Sequence, residues 1–176
     1  FEMITIAQAI KIVEQNSIPT KSFEHIPISK ASGTVLFKDV ISPIDMPPFR
    51  QSAMDGYAVS VHGSTSYRII DEVKAGDGHQ PKLKEGEAIR IFTGAPVPST
   101  ANAVIMQEKV EVAGEIATIL ATIAVNENIR PKGEQISKGV IALTKGTVLT
   151  PSAIGFLASL GISEVDVYKK PSIAIV

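Results

Sequence analysis

Three short segments carry the residues whose types and spacing could do chemistry. The first, 47–59, contains Ser52, Asp55 and Gly56 directly after two prolines. Each proline fixes its own φ and lacks a backbone donor, and glycine allows a turn or a close approach to a ligand. A stiff loop before a strand is a common way to fix a catalytic carboxylate, so Asp55 is a candidate for chemistry. An ordinary Asp-Gly turn leading into a strand explains the same residues.

The second segment, 91–98, ends a strand-like run with a hydroxyl and continues with a glycine and two prolines. Side-chain O–H and backbone N–H groups in such a turn can bind a phosphate or another oxyanion. Thr93 and Gly94 are therefore candidate contacts for an anionic substrate. The simpler reading of Thr-Gly is the ordinary end of a strand.

The third segment, 130–135, is a polar loop rich in residues that break regular structure. Arg130 and Lys132 carry positive charge beside a glycine, so the loop can hold an anionic ligand. Glu134 can organise a cation or a donor group. Taken alone, the loop is more simply read as a solvated turn.

Other polar residues give weaker signals. Glu108 lies in an apolar, strand-like run, and a partly buried carboxylate there would need a partner. The three histidines are widely spaced, so they form no metal-ligand pattern and the sequence predicts no metal ligands. The sequence contains neither a glycine-rich phosphate motif nor the Ser-His-Asp spacing of hydrolases.

Length and composition limit the class of protein. The chain has 176 residues, 44% of them hydrophobic, which suits one large domain or two small ones with a sizeable core. The net charge is −1 and basic residues form no run, which argues against nucleic acid as a partner. Cysteine is absent, and no apolar run approaches the ~20 residues of a membrane span. We expect a cytoplasmic protein without a membrane partner.

The N-terminal pattern predicts an amphipathic helix over 6–15. Thr5 and Gln8 form a capping-box sequence, and apolar residues recur at i, i+4 and i+7 from Ile6. Strand-like runs follow at 24–27 and 35–41.

Residues 55–121 have the pattern of an all-β region. Strand-like runs, separated by turn signals, cover 57–61, 67–73, 88–92, 103–112 and 115–121. Several short strands at this spacing predict a small barrel or sandwich. Barrel closure is the simplest way for so small a β domain to protect its edges.

The C-terminal part combines strand and helix signals. Strand-like runs lie at 140–143, 148–149 and 165–168. A short helix is predicted between them, with Thr150 as N-cap, Pro151 at its first position and Gly161 at its end. The apolar run 172–176 is typical of the first strand of an α/β domain. We therefore expect the chain to be cut where another domain starts; an edge strand at a natural terminus is the alternative.

In their order along the chain, the three segments resemble the molybdopterin molybdenumtransferase family, to which the E domain of gephyrin is related. The match rests on Pro-Phe-Arg-Gln-Ser-Ala-Met-Asp-Gly-Tyr-Ala-Val at 48–59, Ile91-Phe92-Thr93-Gly94-Ala95 with Pro98, and Ile129-Arg130 with Gly133-Glu134. The strand-like run 103–108 and the helix at 151–161 also fit, so the resemblance covers nearly the whole chain.

The resemblance implies a mostly β fold with a few helices, in which an elongated domain is interrupted by a β-barrel-like insertion. The implied order is an N-terminal helix at 1–19, a discontinuous first domain at 20–45 and 136–170, and the insertion at 46–135. Residues 171–176 would begin a missing molybdopterin-binding α/β domain. The family acts as a homodimer, through the elongated domain and that missing domain.

The same resemblance implies the chemistry. Family enzymes insert molybdenum from molybdate into adenylylated molybdopterin, with magnesium, and release AMP. By motif match, Asp55 and Thr93 are expected to be catalytic. The expected substrate-binding residues come from all three segments and are Ser52, Gly56, Gly94, Arg130, Lys132, Glu134 and Gln135. The fragment alone is expected to be inactive.

One position departs from the family pattern. Relatives usually have Gly-Glu-Asp where this chain has Gly133-Glu134-Gln135. An amide can hydrogen-bond a phosphate or sugar, but it cannot act as a base or stabilise a cation as a carboxylate does. Glu134 can compensate for the loss. A non-catalytic scaffolding or binding module with the same fold is the alternative to the enzyme.

Overall fold

The computed structural model describes residues 3–18 and 20–172. The strand predicted at the C-terminus lies beyond residue 172, outside the described residues. Within the described part are two α-helices, α1 (Ile6–Asn16) and α2 (Pro151–Ser159). The β-strands of that part are β1 (Phe23–Pro27), β2 (Val40–Ile41), β3 (Gln51–Ser52), β4 (Gly56–Val59), β5 (Ser66–Val73), β6 (Glu87–Ile91), β7 (Ala103–Met106), β8 (Val110–Ala113), β9 (Ile116–Ile119), β10 (Ile129–Arg130), β11 (Ile141–Leu143) and β12 (Glu164–Tyr168).

The chain divides into two compact units. One takes the chain up to Ile41 and from Ile141 onwards, and the other is Ser42–Val140. The predicted boundaries left 42–45 and 136–140 in the first unit, whereas the structure assigns both stretches to the second. These two stretches hydrogen-bond to each other: the Ser42 N–H donates to the Val140 carbonyl at 2.9 Å, and the Gly139 N–H donates to the Ser42 carbonyl at 2.9 Å.

The first unit is built on antiparallel strand pairs and α2. Strand β1 pairs with β12, and β2 pairs with β11. Helix α2 begins as predicted, because the Thr150 hydroxyl caps the Ala153 N–H and Pro151 occupies the first turn. Gly161 follows the helix with φ +76°, a conformation that suits glycine. The apolar core of this unit consists of Ala31, Leu36, Leu149, Leu157, Val165 and Val167.

Helix α1 has the predicted capping box: the Thr5 hydroxyl accepts from the Gln8 N–H, and the Gln8 side chain accepts from the Thr5 N–H. Its apolar positions are exposed, and none of its residues is buried. Among the described residues, no helix has both the length and the apolar character needed to cross a membrane.

The second unit is organised around one six-stranded sheet in the order β7-β4-β6-β5-β9-β8. Neighbouring strands are antiparallel except β5 and β6, which are parallel. The sheet curls into a half-barrel, so the mostly β, barrel-like prediction is confirmed. The expected closure of the barrel is wrong for the described part, because β7 and β8 form the two edges of the sheet.

Strands β4, β6 and β7 of this sheet are buried on both faces along most of their length, with Glu87, Arg90 and Met106 only partly buried. Ala58, Ile89 and Val104 face one apolar cluster, which the turn after β6 covers with Ala95 and Val97. The opposite cluster contains Tyr57, Val59, Tyr67, Ala88, Ala103, Ile105, Ala117 and Ile119. Rigid, doubly packed strands therefore carry the loops in which the sequence places chemistry.

Three predicted strands differ from the structure. The run 103–112 is broken by a 3₁₀ turn at Gln107–Lys109, which the Val110 N–H closes by donating to the Gln107 carbonyl. The Gln107 N–H still donates to the Asp55 carbonyl at 3.0 Å, in register with the β4–β7 pair. Glu108 lies in that turn and is exposed, so the partly buried carboxylate expected there is wrong. The runs 35–41 and 148–149 are mostly single bridges, with regular strand only at β2.

Candidate active site

Asp55 and Thr93 are brought together by the pairing of β4 with β6. Gly56 is opposite Ile91 in that antiparallel pair, so the residue before β4 and the turn after β6 meet at the same end of the two strands. The Thr93 N–H donates to Asp55 Oδ1 at 2.8 Å, and the Thr93 hydroxyl donates to the same oxygen at 2.7 Å. The two residues that the sequence selects as catalytic are thus in direct contact.

The Asp55 carboxylate is exposed and held by neutral donors. The Thr93 N–H lowers the pKa of this carboxyl most, followed by the Thr93 hydroxyl and the positive charge of Arg90. Among the described residues, both hydrogen bonds to this carboxylate go to Oδ1, and Oδ2 accepts none. The result is an ionised carboxylate with one oxygen available to a cation, a hydroxyl or a water molecule.

Gly56 is required by close backbone packing. A Cβ at this position would lie 1.8 Å from the Ile105 carbonyl oxygen and 2.7 Å from its carbon. Because β4 is paired on both sides, with β6 and β7, neither neighbouring backbone can easily give way. Gly56 therefore fixes where Asp55 leaves the sheet.

Ser52 is a turn former inside the unit. Its side chain is only 1% exposed, and its hydroxyl donates to the Met54 carbonyl at 2.5 Å. The same hydroxyl oxygen lies 3.4 Å from the Met54 nitrogen. The expected direct contact of this hydroxyl with substrate does not fit its buried position, whereas a role in shaping the Asp55 loop does.

The turn after β6 uses its donors internally. Gly94 adopts φ +83°, and its N–H donates to the Ser52 carbonyl at 2.9 Å. Since the N–H and O–H of Thr93 both point to Asp55, the expected oxyanion cradle at Thr93–Gly94 has no donor directed outwards in this arrangement. The lone pairs of the Thr93 hydroxyl oxygen are the groups that the turn can still offer.

The third segment is also tied to its own unit. Arg130 is exposed and lies opposite Gln51 in the β3–β10 pair. The Lys132 ammonium is 3.1 Å from Asp45 Oδ2, so the charge that the sequence offers to an anion is paired within the chain. Gly133 adopts φ +73° and donates its N–H to the Pro47 carbonyl at 2.9 Å.

Glu134 and Gln135 are exposed, and their backbone N–H groups donate to the carbonyls of Pro131 (3.3 Å) and Met46 (2.9 Å). Their side chains make no hydrogen bond within the described residues. The described part of the chain also contains no cluster of three His, Asp or Glu residues placed to hold a metal ion.

Segment 50–53 joins all three motifs. On one side, the Ser52 N–H donates to the Ala95 carbonyl at 3.0 Å and the Val97 N–H donates to the Arg50 carbonyl at 2.9 Å. On the other side, β3 pairs with β10, and the Ala53 N–H donates to the Asn128 carbonyl at 2.9 Å. The structure therefore brings together the segments that the sequence singles out, through the backbone of the first.

Arg90 and Gln107, near the same ends of β6 and β7, were not predicted from the sequence as site residues. Arg90 hydrogen-bonds to the Gly56 carbonyl at 3.0 Å and to Gln107 Oε1 at 2.5 Å. The available signal was an arginine three residues before Thr93, within an otherwise apolar strand run. Its partners could not be foreseen, because Gln107 reaches the site through the pairing of β7 with β4, far away along the chain.

The second unit, whose sheet carries the Asp55–Thr93 contact at the ends of β4 and β6, is inserted along the chain between the two stretches of the first unit. The chain belongs to the family described as the MoeA N-terminal region (domain I and II), whose model matches residues 4–161. The resemblance inferred from the three motifs is therefore confirmed.

Similar proteins agree with this assignment. The chain is 37% identical to a molybdopterin molybdenumtransferase of Haemophilus influenzae, over 98% of this chain and 44% of the relative. It is 33% identical to a Staphylococcus aureus protein of the same name, over 98% of this chain and 43% of the relative. A crystal structure of a molybdopterin biosynthesis moeA protein from Pyrococcus horikoshii OT3 matches with a TM-score of 0.87 and 34% identity, covering 97% of this chain and 47% of that one. The chain thus spans less than half the length of these relatives.

Proposed function

We propose that this chain supplies domains I and II of a molybdopterin molybdenumtransferase. In this proposal, the whole enzyme inserts molybdenum from molybdate into adenylylated molybdopterin and releases AMP. The names of the relatives at 37% and 33% identity support a role in molybdenum cofactor synthesis. The missing pterin-binding domain would complete the cleft, so this chain alone is inactive.

The observation that carries the proposal is the Asp55–Thr93 contact. Two donors of one residue meet on a single carboxylate oxygen, at 2.8 and 2.7 Å, and leave the second oxygen exposed. The carboxylate is thus held in one orientation, and Oδ2 has no hydrogen-bond partner among the described residues. We assign Asp55 the task of orienting or deprotonating a water or hydroxyl group through Oδ2, and Thr93 the task of holding that carboxylate ionised and in place.

The remaining site residues divide into two groups. Ser52, Gly56 and Gly94 shape the loops, as their burial, close packing and positive φ support. Arg130, Lys132, Glu134 and Gln135 contact the substrate. Arg130 and Lys132 face the phosphate groups, and Lys132 exchanges its bond to Asp45 for one to the ligand. Gln135 hydrogen-bonds the ligand without adding charge.

Magnesium fits the donors present in part. Mg²⁺ is usually bound by one or two carboxylates together with substrate phosphates and water, not by a complete protein cage. Asp55 Oδ2 would be its ligand in this chain, and the cation would neutralise charge developing on the phosphates. Glu134 would serve as a second carboxylate in the third loop.

The proposal extends to assembly and location. We propose a cytoplasmic homodimer, in which the cleft combines the β unit of one subunit with the pterin-binding domain of its partner. The chain shares 44% of the length of its Haemophilus influenzae relative, which leaves room for that domain in the whole protein.

The test compares the isolated 176-residue chain with the protein extended by its downstream sequence. Both are incubated with adenylylated molybdopterin, molybdate and Mg²⁺, and AMP release and molybdenum in the product are measured. We expect turnover only in the extended protein. No turnover by a folded extended protein would support the scaffolding alternative, and turnover by the isolated chain would overturn the requirement for a further domain.

A further inference from the structure

Arg90 occupies an unusual position in the central sheet of the second unit. It is directly opposite Tyr57 in the β4–β6 pair, next to the pair formed by Gly56 and Ile91. The other side chains of β6 from Ala88 to Ile91 are apolar and fully buried. Arg90 itself is half-buried, so its stem packs beside these residues while its guanidinium reaches the end of the strand.

The guanidinium is fixed by four contacts of different kinds. Nη1 donates to the Gly56 carbonyl at 3.0 Å, and Nη2 donates to Gln107 Oε1 at 2.5 Å. Its Cζ lies 5.1 Å from the ring centre of Tyr57 and 4.8 Å from that of Phe92. Two aromatic rings and a fork of donors define one orientation of the arginine, which a lysine could not reproduce.

These contacts surround the backbone of Asp55. Gly56 follows Asp55 directly, and the Gln107 N–H donates to the Asp55 carbonyl at 3.0 Å. Arg90 therefore holds both the carbonyl of the residue after Asp55 and the side chain of Gln107, whose N–H binds the Asp55 carbonyl. Phe92, which the guanidinium also covers, precedes Thr93, so the two residues of the Asp55–Thr93 contact are held from one side chain.

The charge of Arg90 is not cancelled within the described residues. Its hydrogen-bond acceptors are a carbonyl and an amide, and it takes part in no ion pair there. The neighbouring Asp55 carboxylate is likewise bound only by neutral donors. Two opposite charges thus lie close to each other without forming a salt bridge, and each remains open to a charged ligand.

We propose that Arg90 is a positioning residue, which holds the Gly56 carbonyl and the Gln107 side chain so that the Asp55 carboxylate stays bound to Thr93. The inference rests on the proposed function for its catalytic meaning. Its geometric content concerns this chain alone and is tested without turnover.

The amide resonance of Thr93 provides the test, because its N–H donates to Asp55 and its chemical shift follows the titration of that carboxylate. In the 176-residue chain we expect a large shift change with a midpoint below the ordinary Asp value of about 3.9. Asp55→Asn should abolish this titration and so identify its source. Arg90→Lys retains a positive charge but loses the fork, and we expect a reduced amplitude because the contact is then only partly populated. Arg90→Met should also raise the midpoint.

Arg68→Met is the matched control, since Arg68 is an arginine on the neighbouring strand β5 with an ion pair to Glu87 at 3.2 Å. It should leave the Thr93 titration unchanged. If the Thr93 amide shift changes as much in both Arg90 variants as in wild type, the proposal is overturned. This holds even if the titration midpoint moves, since Arg90 would then act through its charge alone. Should Arg90→Met fail to fold, the amplitude in Arg90→Lys decides. Absence of turnover with the expected amide behaviour would overturn the proposed function and leave this inference intact.

Discussion

Asp55 and Asp45 are two aspartates of the second unit, the first exposed and the second half-buried, and their partners differ in charge. Asp45 accepts the Lys138 N–H at 2.9 Å and pairs with the Lys132 ammonium at 3.1 Å. Asp55 accepts only the N–H and O–H of Thr93. In both cases a backbone N–H is the main cause of a lowered carboxyl pKa. The charge of Asp45 is balanced by Lys132 within the chain, whereas no cation is paired with Asp55 among the described residues.

This difference separates a loop that is held together from a loop that can act. At Asp45 an internal cation occupies the carboxylate, so the pair fixes the third loop next to its Gly133 turn. At Asp55 the neutral donors fix the geometry and leave the charge for a ligand. Since the pKa is lowered for both aspartates, the charge of the partner is what distinguishes their roles.

Removing the charge at each position should produce the largest difference in turnover between the two aspartates. In the extended protein we expect Asp55→Asn to lower turnover by about 10²–10⁴-fold, the range for loss of a positioned acid–base group, with little change in stability. Asp45→Asn should retain most of the activity. Steady-state AMP release, together with thermal melting of both variants, provides the measurement.

Equal losses of activity in the two variants would mean that both loops act on the substrate. A large fall in melting temperature for Asp55→Asn, with activity retained, would instead make Asp55 a structural turn former.

The next effect concerns the glycines beside the two aspartates. Gly56→Ala places a methyl group 1.8 Å from the Ile105 carbonyl oxygen, and we expect about 3 kcal/mol of destabilisation from forced backbone movement. Gly133→Ala meets a milder contact, 3.0 Å to the Ser137 hydroxyl, at φ +73°. It should cost about 1 kcal/mol, mainly from the left-handed backbone. Urea unfolding of the 176-residue chain measures both, and a reversed order would contradict the packing described for β4.

The smallest effect should come from the Lys132–Asp45 pair. Because the folded-state pKa of Asp45 is lowered, its contribution to stability is present above its unfolded pKa of about 3.9 and is lost as the pH falls through the folded value. Lys132→Met should make this acid loss slightly smaller, since the Lys138 N–H, the larger cause, remains. Added salt should reduce the difference between variant and wild type.

Urea midpoints measured from about pH 6 to about pH 3 test this prediction. Lys82→Met is the control, because Lys82 is an exposed lysine of the same unit without an ion pair among the described residues. An identical pH dependence in wild type and Lys132→Met would show that the ion pair contributes nothing in solution.

Local chemistry made much of the fold predictable. The capping box at Thr5, the Thr150–Pro151 start of α2 and the glycine after it are set by neighbouring residues, and all three are as expected. The strands between 56 and 119 also follow the β-prone runs. The 3₁₀ turn at Gln107–Lys109 was not predictable, because these three residues include no glycine or proline that marks a turn.

The candidate site was predictable in its members but not in its bonds. The sequence selects Asp55, Thr93 and the third loop, and the structure places them on paired segments. The sequence could not reveal that Lys132 binds Asp45, or that the Thr93–Gly94 donors turn inwards, since both depend on partners from distant segments. The two-residue strands β3 and β10 have no local signal at all, because only their pairing defines them.

Segment 50–53 connects the turn after β6 with strand β10 in the second unit. Gln51 and Ser52 bond to the turn after β6 on one side and to β10 on the other. These bonds offer a path by which a ligand at Thr93–Gly94 and a ligand at Arg130 would be coupled. Any such coupling is reciprocal in free energy, so ligands at the two loops must alter each other's affinity by the same factor.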